Sequence, residues 1–479
     1  MLFRALFTVL LIAQCAAAAG AGHYQSDFPP EEFRARHARI FDRIGGDAIA
    51  IVPGAPAAQG FQIFRQSNEF YYLCGLETPH AYFLLNGRTR QTALYLPHTD
   101  PDRERNAGKL FSAEDADRVR ELTGVDAVFP IEEMSRHLSR LLVKTPVPEI
   151  YTPFLPAEGV ESSRDELLYQ QALIAADPWD GRPSREAWFV AQLRARFPAF
   201  PIRDLSPILD DLRLVKSERE IALIHKASQI AAWALLEAMK SSRPGVMEYQ
   251  LDAAARYVYL TNGAKHEGYP SIIGGGTNAW MGHYFWNTDP LREGDMVLMD
   301  YAPDYRYYTS DVTRMWPVNG KYTPDQKAFA TFILGYRNAL ISRIKPGVTA
   351  EAVLKDARVE MKVTLAKLRF TKPHYRAAAE KALDFAGHLS HPVGMTVHDV
   401  GVYRKKPFVE GQVFSIDPML WVPEEEKYVR MEDVIVVTRT GAENFTDFLP
   451  ADPDEIERIM AQPGIVQQYP ARLPGRSEQ

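Results

Sequence analysis

The sequence predicts an α+β protein of two domains, and three observations carry that expectation. At 479 residues the chain exceeds the usual size of one hydrophobic core. Its C-terminal half alternates long helical runs with apolar segments that fold back as antiparallel hairpins, a pattern foreign to doubly wound sheets. Its N-terminal half carries short continuous apolar runs, Ala48-Ile49-Ala50-Ile51-Val52 and Ala93-Leu94-Tyr95-Leu96, which read as buried strands. A smaller α/β domain over residues 22–203 and a larger one over 204–465 follow, with a tail from 466 to 479.

The first residues lie outside both domains. Met1-Leu2-Phe3-Arg4 supplies a short positive start, and Ala5 to Ala13 is apolar but too short for a good membrane span. A small-residue run from Ala16 to Gly22 then offers cleavage after Ala19 or Ala21. Residues 1–21 are expected to be a secretory signal, which makes the mature protein periplasmic or secreted. Lipid attachment at Cys15 is disfavoured by Gln14 before it, and an uncleaved anchor by the short apolar run. With Cys15 removed, Cys74 is alone and forms no internal disulfide. Set in Phe70-Tyr71-Tyr72-Leu73, it reads as a buried inert thiol, which argues against a cysteine protease.

Composition is that of an ordinary globular enzyme, with 46% hydrophobic and 24% charged residues. The net charge is −6 and no basic run stands out, so nucleic acid and anionic membrane are not expected partners. No repeat of solenoid period is present.

In chain order, Pro29-Pro30-Glu31-Glu32 marks a helix start, and Glu31 to Ile44 keeps helical spacing. Residues 157–201, rich in Asp, Arg and Pro, suggest irregular surface or an inserted helix. The boundary between domains is expected near Pro201 to Ser206. Ser217 precedes a long amphipathic helix, Glu218 to Lys240, and Gly245 to Asn262 resembles another.

Two hairpins then carry the chemistry. Val297-Leu298-Met299-Asp300 returns as Tyr307-Tyr308-Thr309-Ser310-Asp311-Val312-Thr313, and a turn centred between Tyr305 and Arg306 sets Asp300 across from Asp311. Val413-Phe414-Ser415-Ile416-Asp417 returns as Val429-Arg430-Met431-Glu432-Asp433, and a turn at Glu424-Glu425 sets Asp417 across from Glu432. Opposed residues share a face, where like charges repel. Hairpins also carry acids on solvated faces, but the first pair lies within apolar, β-rich runs, where an unpaired charge is costly. Two such pairs make sense with cations between them. The segment from His388 to Asp399 adds imidazoles at His388, His391 and His398.

These motifs, together with His391-Pro-Val-Gly394 and Val397-His398-Asp399, resemble the pita-bread metallopeptidases. The match is to the aminopeptidase P (Xaa-Pro aminopeptidase) group, with Xaa-Pro dipeptidase next. It covers nearly the whole mature chain, including Phe64 to Gly75, which is similar to that family's non-catalytic domain. The resemblance implies a C-terminal pita-bread domain that removes an N-terminal residue before proline through a metal-bridging hydroxide. It makes Asp300, Asp311, His391, Asp417 and Glu432 the ligands of two divalent cations. An oxygen-rich cage suits manganese, with zinc, cobalt or iron as alternatives. It places His283 and His398 beside the substrate and makes a homodimer the expected assembly. An Xaa-Pro dipeptidase, a weakly catalytic peptide-binding relative and a metal-free enzyme of the same fold are the alternatives.

Three positions depart from the family or extend it. Asp417 stands where glutamate, both ligand and catalytic base, is usual. Either the shorter side chain reaches the water poorly, or the wall has moved inward under the bulk of Met419 and Trp421, the favoured reading. Gly387 replaces a frequent histidine, so that role is not carried to His388. Arg430 shares a strand face with Glu432 and is expected to brace the acids or the substrate, unless it is a surface residue paired with Glu425.

Overall fold

Helix α1 (Pro30–Ile44) begins where Pro30 fixes the first turn, with Glu31 and Glu32 beside the positive end of the helix. Its buried stripe is Phe33, His37, Ile40, Phe41 and Ile44. In this computed structural model, which describes residues 24–58, 60–144 and 149–469, the chain forms two units. The expected signal at 1–21, Cys15 included, and residues 470–479 lie outside the described residues.

One unit is the chain up to Gly159 together with Leu167–Leu212. Its strands are β1 (Ala48–Pro53), β2 (Tyr82–Asn86), β3 (Gln91–Leu96), β4 (Ala127–Pro130), β5 (Glu149–Thr152) and β6 (Ile202–Asp204). They form one mixed sheet in the order β4-β3-β2-β1-β5-β6. β1 pairs antiparallel to β2 and parallel to β5. Residues Ile49, Ala50 and Ile51 are fully buried, as a central strand covered on both faces requires. Cys74 is buried too, and burial pushes its thiol up to about 12, which leaves it inert. The Asp-, Arg- and Pro-rich segment contains two helices, Arg164–Ala176 and Arg185–Arg196. Arg, Glu and Leu within it are good helix formers, and Ser184 caps the second through Ala187 N–H.

The other unit is Val160–Glu166 with the chain from Arg213 onward. The division falls nine residues past the expected 203/204 boundary because Leu205, Leu209 and Leu212 are buried and Tyr72 Oη donates to Leu212 O at 3.4 Å. Helix α2 (Glu218–Ser241) opens with a capping box: Glu220 N–H donates to Ser217 Oγ at 3.4 Å, and Ser217 N–H to the Glu220 carboxylate at 2.9 Å. Helix α3 (Glu248–Thr261) starts three residues later than its pattern suggested. Gly245 is left-handed at φ 87°, Gly245 N–H donates to Leu291 O and Glu248 N–H to Asp289 O, so this backbone is already engaged outside the helix.

Four small sheets carry the rest of this unit. β9 (Met296–Asp300) lies between β8 (Ile272–Gly275) and β11 (Thr313–Pro317), while β10 (Pro303–Asp304) pairs with β7 (His266–Glu267). β12 (Val413–Ile416) and β15 (Asp433–Val437) pair with β16 (Ala442–Asn444) beyond them, and β13 (Met419–Val422) pairs with β14 (Lys427–Arg430). Helices α4 (Pro324–Ile341), α5 (Ala350–Lys367) and α6 (Pro373–Ala382) contribute Phe332, Ala357 and Ala379 to the same apolar core. Residues beyond 465 stay folded for one more turn, because Gln467 Nε2 donates to Ser241 O at 2.8 Å.

Two buried acids of this unit are each paired with two cations. Asp433 joins Arg314 at 2.8 Å and Arg337 at 2.7 Å. Asp399 joins Arg213 at 2.5 Å and Lys216 at 2.9 Å. Gly394 packs against that second cluster, where an added Cβ would collide with the Asp399 carboxylate.

Candidate metal centre

Both acid-bearing hairpins are present, with different fidelity to expectation. The second has the expected register: Met419 faces Arg430 in one segment and Ile416 faces Asp433 in the next, which leaves Asp417 and Glu432 opposite each other. The first is centred one residue later than expected, and Asp300 faces Thr313, not Asp311. Its turn is made by Arg306 and Tyr307, both left-handed at φ 55° and 73°, between the bridged pair Tyr305 and Tyr308. Moving the centre by one residue moves the partner by two, so Asp311 stays on the same face as Asp300. Tyr269 joins them, its hydroxyl lying 2.7 Å from Asp300 Oδ1 and 2.8 Å from Asp311 Oδ1.

The two hairpins meet at Thr313 and Glu432. Glu432 N–H donates to Thr313 O at 3.1 Å, and Thr313 Oγ1 donates to Glu432 Oε2 at 3.0 Å. The His391–Val393 stretch runs beside β12, where Ser415 N–H donates to His391 O at 3.0 Å. His391 Nε2 thereby reaches within 3.1 Å of Asp311 Oδ2 and 4.0 Å of Glu432 Oε1. Asp311, His391 and Glu432 present ligand atoms within 4.8 Å of one another, a group able to hold one cation. Asp300 and Asp417 flank it, linked to Glu432 by Arg430.

Arg430 bridges three of the acids. Its Nη1 donates to Asp300 Oδ2 at 2.9 Å, its Nε to Asp417 Oδ1 at 3.0 Å, and its Nη2 to Glu432 Oε2. The surface alternative is excluded, because Glu425 is taken by Lys372, His374, Tyr375 and Lys427. Burial works against the Arg430 charge, and Asp300, Asp417 and Glu432 more than reverse it.

The donor set fits divalent cations on three observations. All four carboxylates are buried or nearly so, and one guanidinium pairs with only three of them, Asp300, Asp417 and Glu432. Glu432 Oε1 is buried without a hydrogen-bond partner among the described residues. Burial, then the neighbouring Glu432 and Asp300, push the Asp311 carboxyl well above its ordinary range. Burial does the same to Asp417, against the pull of Arg430. Such an excess of buried negative charge is stable when cations neutralise it. Burial also lowers the His391 pKa and keeps its imidazole neutral, the form that binds metal.

His283 and His398 lie in one small cavity with Tyr269, Asp300, Asp311 and Arg430, of about 60 Å³. His283 is exposed and nearly parallel to Phe285, with ring centroids 6.0 Å apart. His398 packs on His391, its centroid 4.2 Å away. His388 lines a second, apolar cavity of about 360 Å³, shared with Asp417, Ser390, Met419 and Trp421. Tyr269, Ser163 and Asp165, which contact site residues, escaped the sequence reading. None sits in a paired-acid or histidine motif, and each approaches from a distant stretch.

The comparisons with known proteins agree with this geometry. The family model described as metallopeptidase family M24 matches residues 222–439, a range that contains every site residue expected from sequence. A second model, the aminopeptidase P N-terminal domain, matches residues 33–151. Together the two models cover most of the chain, which is an aminopeptidase P-like protein of the pita-bread fold. It is a hydrolase, a metal-dependent exopeptidase in class. It is 29% identical over 456 residues to the Xaa-Pro aminopeptidase of Escherichia coli K12, covering 91% of this chain and 98% of that protein. It is 27% identical over 417 residues to human Xaa-Pro aminopeptidase 3, covering 83% of this chain and 77% of that protein. Among solved structures, proline aminopeptidase P II from Yersinia pestis superposes with a TM-score of 0.74 at 29% identity, covering 91% of this chain and 100% of that one. Zinc-substituted E. coli aminopeptidase P in complex with product gives a TM-score of 0.72 at 28% identity, over 91% and 99% of the two chains.

Proposed function

We propose that this metallopeptidase removes the N-terminal residue of peptides whose second residue is proline. The observation that carries the reading is the meeting of Asp300, Asp311, Asp417 and Glu432 from two joined hairpins with His391 from the stretch beside β12, next to a cavity lined by His283 and His398. The relatives' names supply the proline. Asp311, His391 and Glu432 would hold one divalent cation, with Asp300 and Asp417 completing the place of a second. Two such cations, manganese first given the oxygen-rich donors, supply an acidic bound water and polarise a peptide carbonyl.

The chain's own residues do the remaining work. Arg430 keeps Asp300, Asp417 and Glu432 in fixed orientation, and Tyr269 does so for Asp300 and Asp311. His398 and His283 face the space a peptide would enter, where a ring nitrogen can bond the carbonyl whose charge grows in the transition state. We read the mature protein as exported behind its expected signal and as a homodimer. Initial rates on matched tripeptides with proline or alanine second, and on the free Xaa-Pro dipeptide, test the proline reading. Release of the first residue from the proline tripeptide, far above the other two, is expected. Equal rates on the alanine peptide, or cleavage of the dipeptide alone, would overturn it.

Asp417 gives a second test. Its carboxylate borders the 360 Å³ cavity, and Trp421 is 38% exposed, so the wall beside it is not filled as Met419 and Trp421 suggested from sequence. An added methylene has room and avoids the ~1–3 kcal/mol that overpacking costs. Asp417→Glu is expected to raise turnover about two- to tenfold, equivalent to roughly 1 kcal/mol of barrier, with metal content unchanged. Steady-state kinetics with saturating manganese checks this, and a fall in turnover would show the wall to be closed.

A further inference from the structure

We propose that Asp165 is the positioning residue of His398, so that the short stretch Val160–Glu166 completes the active site. The inference rests on the exopeptidase reading above for its functional meaning. His398 Nδ1 lies 2.7 Å from Asp165 Oδ2, a partner 233 residues away in sequence. The same stretch holds the His398 backbone, whose N–H donates to Ser163 Oγ at 3.2 Å. One bond fixes the main chain and the other fixes the ring.

Geometry explains why the second bond matters. An imidazole can turn about its Cβ–Cγ bond and exchange the places of its ring atoms. With Nδ1 engaged by Asp165 and one ring face 4.2 Å from the His391 centroid, that rotation is blocked. Nε2 is the nitrogen left for the peptide. Asp165 lies in the first turn of the helix Arg164–Ala176, a rigid mount whose positive end favours an acid. Glu161, Ser163 and Glu166 of the same stretch line the cavity that contains His283, Asp311 and His398. Carboxylates that orient an imidazole in this way typically contribute about 10- to 100-fold.

The side chain of Asp165 is 60% exposed, so its replacement leaves the core intact. Asp165→Ala is expected to lower kcat about 10- to 100-fold with KM and metal content unchanged. Asp165→Glu should recover part of the loss. The double variant Asp165→Ala with His398→Ala should be no slower than His398→Ala alone, because the carboxylate acts through the ring. Multiplying losses, an effect on KM alone, or no loss would overturn the proposal. A readout free of catalysis separates it from the functional reading. In metal-free protein labelled with ¹⁵N-histidine, the His398 signal, assigned by its loss in His398→Ala, should report a protonated Nδ1. Asp165→Asn should shift that signal while Ser139→Ala, a remote surface control, leaves it in place. An unmoved signal in Asp165→Asn sinks the positioning role, and a wild-type protein inert toward Xaa-Pro peptides sinks only the functional reading.

Discussion

Asp311→Ala and Glu432→Ala are each expected to reduce hydrolysis at least about a thousandfold, the loss that corresponds to several kcal/mol of transition-state stabilisation by metal. Both residues belong to the group whose ligand atoms lie within 4.8 Å of one another, so either change leaves at most two of its three members. Removing one buried carboxylate also relieves like-charge repulsion, because Glu432 is among the groups that push the Asp311 carboxyl upward. The fold is therefore expected to persist. Elemental analysis after manganese loading, with initial rates on a proline tripeptide, checks both halves. Full metal content together with full activity in either variant would remove these residues from the centre.

Asp433→Ala is expected to cost about 3–5 kcal/mol of stability, the usual result of leaving a buried charge without its partner. Asp433 and Arg314 are fully buried, and Arg337 reaches the same carboxylate at 2.7 Å. The alanine strands two guanidiniums at once, and Thr446, which donates to both Asp433 and Asn444, loses one of its acceptors. The same cluster sets an acid response. Burial opposes ionisation of Asp433, but Arg314 and Arg337 outweigh it and hold its carboxyl below the ordinary value. A depressed carboxyl contributes its full stability above the unfolded pKa, about 3.9, and loses it as pH falls toward the folded value. Urea unfolding at neutral pH should show a lower midpoint for Asp433→Ala. Its stability should also decline less steeply than that of the wild type as the pH is lowered through the carboxylate range. Equal midpoints at neutral pH would contradict the assignment.

How far the sequence revealed this molecule depended on whether the deciding contacts were local. Helix α1 was legible because Pro30, two acids and a periodic apolar stripe all act within one segment. The second hairpin was legible because its acidic turn sits midway between matching β-rich runs. The first hairpin was misplaced by one residue at its centre. Its left-handed pair, Arg306 and Tyr307, lacks the glycine or asparagine that usually marks positive φ. The face shared by Asp300 and Asp311 survived the error because the partner moved by two residues. The start of α3 was misread because a pairing with Asp289 and Leu291 competes with the helix, a contact no local pattern shows.

The site divides along the same line. The ligand candidates stand in motifs, and Arg430 could be placed near them from its spacing to Glu432 alone. Tyr269 and Asp165 could not, since an isolated tyrosine or a surface aspartate is common and only the fold brings them to Asp311 and His398. Asp417 shows the limit in the other direction. Its departure from the family pattern was visible in sequence, while the open space beside it was not.

The central claim is that Asp300, Asp311, His391, Asp417 and Glu432 together hold two divalent cations. A crystal of the protein grown with manganese, measured for anomalous scattering at the manganese edge, tests this most directly. Two anomalous peaks are expected among these side chains, one of them between Asp311, His391 and Glu432. Peaks elsewhere with these five side chains unliganded, in a preparation that still hydrolyses peptide, would contradict it.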